Sequence, residues 1–143
     1  MKPNQVDLVQ KSFAQVAPIA EQAAALFYDR LFVLDPAVRQ LFRGNMQQQG
    51  AKLMQMIGAA VRGLDDLPRL VPVLRGLGER HGGYGVTPRD YDTVGRALIW
   101  TLGQGLQSAF TPAVREAWEV FYGLAACTML GVARPTAALR ATK

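Results

Sequence analysis

Apolar side chains in this chain recur every three or four residues almost from end to end, and no stretch shows the sustained alternation of a half-buried strand. That period dictates an all-α fold, because a helical stripe laid out as a strand would scatter its apolar residues over both faces. Proline and short polar side chains set the expected breaks. Val6, Val9, Phe13 and Val16 predict a first helix, capped by Asn4 and interrupted at Pro18. A second carries Ala24, Phe27, Tyr28, Leu31 and Phe32 to Leu34, where Asp35-Pro36 stops it and starts a short third helix ending near Phe42. Arg43, Gly44 and Asn45 read as a loop.

From about Gln47 to Leu64 the residues Leu53, Met56, Ile57, Ala60, Val61 and Leu64 form one stripe, which makes this segment an amphipathic helix. Asp65-Asp66-Leu67-Pro68 ends it and opens the next, which Val71, Leu74, Leu77 and Gly78 carry to Arg80 and His81. Gly82, Gly83 and Gly85 predict a flexible corner. Two further helices of about 20 residues open with the same device, a threonine cap and a proline in the first turn, at Thr87-Pro88 and Thr111-Pro112. The expected organisation is one domain over residues 1–133 and a disordered tail over 134–143, where the sequence is small and polar without periodicity.

Composition narrows the chemistry. At 143 residues the chain is long enough for one well-buried core. His81 and Cys127 are its single histidine and single cysteine, so zinc sites built from several such ligands, and an internal disulfide, are excluded. No apolar run approaches the roughly 20 residues that span a bilayer, and the N-terminus lacks a signal core. The expectation is a cytoplasmic protein without stable membrane insertion. Sixteen basic residues against 11 acidic give a net charge of +5, but they are scattered, which argues against a nucleic-acid partner. Phosphate-loop and dinucleotide motifs are absent, and neither Ser12 nor Ser108 lies on a strained nucleophile turn beside which His81 could work. What remains is one imidazole at a helix end, facing a helix whose stripe is rich in Leu, Met and Ile. That pairing fits an apolar cofactor.

Several ordered motifs now point to a family. They are Phe27-Tyr28-Asp29-Arg30-Leu31-Phe32, Asp35-Pro36 through Leu41-Phe42, and Gln49 with Lys52-Leu53-Met54. Arg80-His81-Gly82-Gly83-Tyr84-Gly85-Val86 follows, then Tyr91, Val94-Gly95, Leu98 and Trp100-Thr101-Leu102, and finally Phe110-Thr111-Pro112 through Ala117-Trp118. Over residues 5–132 the sequence resembles a bacterial single-domain globin related to the haem domain of flavohaemoglobins.

The resemblance implies seven or eight helices around a haem pocket, with haem b (iron protoporphyrin IX) between the fifth and sixth. It implies His81 as the proximal iron ligand, a role that a neutral imidazole suits well. Phe42 matches an aromatic that packs on the haem edge, although a core phenylalanine would read the same. Tyr28, Gln49 and Leu53 match the residues lining the gas pocket. There the Tyr28 phenol would donate to a dioxygen ligand carrying partial negative charge. Tyr28 also reads as an interface tyrosine, and Gln49 as a solvated member of the run Gln47-Gln48-Gln49.

Leu53 and Ile57 share a helix face with Gln49 and would roof the haem, with Val94 and Leu98 contributing from the next long helix; all of these equally suit plain core. Val86 and Tyr91 belong to the same cofactor set. Arg80, Lys52 and Arg43 are candidates for the two propionates, or simply solvated cations. In flavohaemoglobins a tyrosine matching Tyr91 and a late glutamate form a network behind the proximal histidine; here the glutamate position reads Ala133, which weakens the case for redox reactivity. The expected function is reversible binding of dioxygen, nitric oxide and carbon monoxide for carriage or storage. Nitric oxide detoxification with an external reductase is the enzymatic alternative, and a gas sensor or haem-free helical interaction module the alternative of another class.

Overall fold

The computed structural model describes residues 1–42, 44–83 and 86–131. The tail over 134–143, together with Arg43, Tyr84, Gly85 and Ala133, lies outside them. Among the described residues the chain forms six α-helices joined by 3-10 turns, with no strand. They are α1 (Pro3–Val16), α2 (Ala20–Leu34), α3 (Met46–Arg62), α4 (Leu67–Gly83), α5 (Pro88–Leu106) and α6 (Pro112–Leu130). Ala17–Ile19, Pro36–Leu41, Gly63–Asp65 and Gln107–Ala109 are the 3-10 segments. The helices expected to flank the cofactor are α3 and α4.

The stops and starts follow local chemistry. Asp35 accepts from the Ala37 N–H at 3.2 Å, opening the 3-10 turn at Pro36. Asn45 accepts from Gln47 and Gln48 N–H at 2.8 and 3.3 Å, capping α3. At α5 the Thr87 hydroxyl and Asp90 carboxylate each accept from the other's backbone N–H, closing a capping box. Thr111 caps α6 through the Val114 N–H at 3.2 Å.

Three sequence expectations change. α1 begins at Pro3, so Asn4 lies inside the helix and is not its cap. Met56 is 41% exposed and leaves the buried stripe of α3. Gly82 and Gly83 complete α4 rather than forming the corner.

The core is pinned by Val9, Leu31 and Trp118, all fully buried. The Trp118 indole N–H donates to the Ser12 hydroxyl at 2.8 Å, and that hydroxyl donates to the Leu8 carbonyl at 2.6 Å. This satisfies the one polar atom that a buried tryptophan brings and ties α6 to α1. Two glycines permit close helix crossings. A Cβ on Gly50 would lie 2.9 Å from the Ala24 Cβ, where α3 meets α2, and a Cβ on Gly78 would overlap the backbone carbonyl of Met129, where α4 meets α6.

Gly78→Ala should therefore cost about 1–3 kcal/mol, because a helix backbone cannot yield as a side chain does. Gly82→Ala, with open space around it, should be neutral or stabilise by up to ~1 kcal/mol through helix propensity. Urea unfolding of both variants checks the contrast.

Candidate cofactor site

Although α3 and α4 are consecutive, they are not a packed pair among the described residues: α3 rests on α1 and α2, and α4 on α6. This leaves a position for a cleft open between the two helices, and, among the described residues, none of the three cavities nearby has His81 in its lining. Leu53 and Ile57 on α3, Val94 on α5, and Phe42 are apolar and touch the core, yet each stays only half buried. Val86 and Leu77 are half buried too, while Leu98 is buried. Apolar side chains left uncovered between diverging helices are what a flat hydrophobic guest would cover.

His81 lies in the last turn of α4 and is half buried. Its Nδ1 is 2.8 Å from the Leu77 carbonyl oxygen one turn earlier. A carbonyl only accepts, so the proton must sit on Nδ1, and Nε2 keeps its lone pair. One nitrogen is spent on orientation and the other is ready to bind a metal. The close approach at Gly78 sets where α4 runs against α6, and so fixes the turn that carries the imidazole.

Tyr91, buried in the first turns of α5, lies behind His81 with ring centroids 6.4 Å apart and the planes tilted by 43°. The Tyr122 hydroxyl on α6 donates to the Tyr91 carbonyl at 2.6 Å, holding this end of α5. Burial, with smaller contributions from Tyr91 and Asp92, pushes the Tyr122 phenol well above its ordinary range. Tyr91 is raised by burial as well.

Tyr28 occupies an aromatic cage. Its ring meets Phe42 edge-on at 5.2 Å and Phe27 edge-on at 5.1 Å, and stacks on Phe32 at 6.0 Å; Phe42 also meets Phe32 at 5.8 Å. The phenol is pushed up to about 12 by burial, so it stays protonated and a donor across the physiological range. Among the described residues its hydroxyl has no hydrogen-bond partner. It is not one of the fully buried unpartnered atoms, so solvent or a ligand can reach it.

The structure thus brings together Tyr28 and Phe42 in one cage, His81 and Tyr91 in one contact, and Val94 and Leu98 along one helix face. Gln49 is half buried on α3, four residues before Leu53. Lys52 and Arg80 are exposed on α3 and α4, and neither has a carboxylate partner among the described residues. Sequence reasoning gave no role to Phe32 or to the Leu77 carbonyl. Both were signalled by helical spacing, four residues after Tyr28 and four before His81.

The fold is an all-α bundle with a single oriented imidazole and a set of partly buried apolar side chains on α3 and α5. The chain belongs to the globin family, matching Globin over residues 25–129. It is 31% identical over 137 residues to neuroglobins of Tetraodon nigroviridis and Chaenocephalus aceratus, with 86% of this chain and 86% of each relative covered. It is 28% identical over 130 residues to a flavohemoprotein of Bacillus subtilis (strain 168), covering 89% of this chain but only 33% of that longer protein. Membership carries haem-based binding of diatomic gases. No helix among the described residues is long and apolar enough to cross a membrane.

Burial of neutral phenols has a consequence for stability. Between the ordinary value of 10.0 and about 12, the unfolded chain has lost its Tyr28 proton while the folded chain keeps it, so stability is fully present below that window and falls as pH rises through it. Tyr28→Phe should flatten the decline, measured as unfolding free energy from pH 9 to 12. An unchanged slope would contradict the cage.

Proposed function

We propose that the chain binds haem b between α3 and α4, with His81 Nε2 as the iron ligand, and uses it to bind dioxygen reversibly. The observation that carries the reading is the Nδ1 bond from His81 to Leu77, which in the neutral imidazole puts the hydrogen on Nδ1 and leaves Nε2 as the nitrogen for a metal. Haem supplies, when bound, the iron at which dioxygen, nitric oxide or carbon monoxide attaches. Phe42, Leu53, Ile57, Val86, Val94 and Leu98 exclude water from it. Lys52 and Arg80 meet the propionates from the exposed mouth of the cleft, where such cations keep their hydration. Tyr91 backs the imidazole.

On the opposite side Tyr28 would offer its hydroxyl as a hydrogen-bond donor to a gas held there, keeping its own proton, since no other described residue takes that bond. Gln49 adds an amide, a poor iron ligand, and Leu53 closes the roof. A hydrogen bond to a charged acceptor contributes ~1.5–3 kcal/mol, so this pocket should release dioxygen slowly. Carriage or storage is the role that suits it. Cytoplasmic residence accords with a buried, unpaired Cys127.

The likeness to a flavohemoprotein favours one second reading, nitric oxide dioxygenation with electrons from a separate reductase. Mixing oxygenated protein with nitric oxide should then give nitrate rapidly, with sustained turnover once a reductase is present; slow, single conversion would exclude it.

The primary reading predicts red protein with an intense band near the blue edge of the visible spectrum, greatly weakened or lost in His81→Ala. Tyr28→Phe should keep the colour yet release dioxygen about tenfold faster in stopped-flow measurements. Equal rates would remove Tyr28 from the gas pocket.

A further inference from the structure

Between α5 and the start of α6 lies a hollow of about 430 Å³ that opens to solvent. Arg96 and Trp100 on its wall follow Val94 and Leu98 by two residues, which carries them roughly 200° round the helix, so the hollow and the proposed haem site use different faces of α5. Arg96, Trp100, Gly103 and Gln104 come from α5, Phe110 from the turn after it and Arg115 from α6. No carboxylate borders the hollow among the described residues. Cations and aromatic rings share one concave surface.

Local structure holds these walls in place. After α5 the chain turns at Gln107, whose φ of 50° few residues with a side chain adopt, and Phe110 returns over Gly103. A Cβ on Gly103 would stand 3.4 Å from the Phe110 ring. Trp100 is half buried, and the guanidinium carbon of Arg30 on α2 lies over its ring, 5.0 Å from the centroid. That contact steadies the indole and adds a third cation. The Nε of Arg30 is fully buried without a hydrogen-bond partner among the described residues. Arg96 is exposed, one turn before Trp100 on the same face. Glu119 stands 3.8 Å from Arg115 and offsets its charge, but Arg30 and Arg96 have no carboxylate partner among the described residues.

Hollows of this size hold small organic molecules. Aromatic walls select a flat ring, and uncompensated guanidinium groups select an oxyanion, which their fork of N–H donors can bind at two points. A neutral ring would leave the cations unsatisfied. A bare anion would leave the indole and phenyl surfaces to water. We infer that the hollow binds a planar aromatic anion, its ring against Trp100 and Phe110 and its carboxylate or phosphate on Arg96, with Arg115 and the Gln104 amide as further donors. The site needs neither haem nor gas, so it stands apart from the function proposed above.

The chain has two tryptophans, and Trp118 is sealed in the core, so protein labelled with 15N at the indole carries one reporter in the hollow and one control. Titrating the full chain with naphthoate or naphthyl phosphate should move the Trp100 signal saturably and leave that of Trp118 in place, and the tighter of the two identifies the acidic group. Neutral naphthamide and inorganic phosphate should each bind at least about tenfold more weakly. Arg96→Gln should weaken binding about tenfold, while Arg89→Gln, which removes the same charge from the first turn of α5, should leave it unchanged. Both arginines are exposed, so neither substitution threatens the fold. A Trp100 signal that neither anion moves, equal binding of the neutral amide, or equal losses in the two variants overturns the assignment.

Discussion

The hydrogen bond from the His81 imidazole to the Leu77 carbonyl governs the rest of this structure. It settles the tautomer, because only a nitrogen bearing hydrogen can meet a carbonyl oxygen at 2.8 Å. It also ties the ring to its own helical turn, leaving Nε2 as the nitrogen not spent on that bond. The bond is local to one helical turn, but that turn is placed by a tertiary contact: Gly78 lets the α4 backbone lie against Met129 of α6. Bulk at position 78 would move the imidazole before it disturbed any core residue near the cleft.

Opposite that anchor, the chain carries polar groups that a maximally stable core would not choose. Tyr28 is surrounded by three phenylalanines, yet its hydroxyl is left without a partner among the described residues. The half-buried faces of Leu53, Ile57 and Val94 cost hydrophobic stabilisation in the same way. Such local violations concentrate where a ligand completes the structure. Haem and gas together would cover the apolar faces and satisfy the phenol, so binding should also stabilise the fold.

Most helices were legible because their signals are local. Thr87 and Thr111 sit at caps whose geometry a few residues determine, and the stripe through Leu53, Ile57 and Val61 follows helical spacing. Asn4 failed as a cap because Pro3 already meets the needs of a first helical residue. Met56 looked like core by residue type, but its angular position carries it around α3 to solvent. The crossings at Gly50 and Gly78 were not legible at all, since each depends on a partner 26 and 51 residues away in sequence, Ala24 and Met129. For the site, residue types gave the histidine, while the proton on Nδ1 and the cage around Tyr28 required the fold.

The single histidine offers an unusually clean measurement. Protein grown with 15N-labelled histidine carries the label in one imidazole only, at His81. Resonance Raman spectra of the reduced haem complex should show an iron–nitrogen stretch that shifts on labelling, and selective labels should place the shift at Nε2. A stretch indifferent to the label would mean that another atom holds the iron, and would contradict the account.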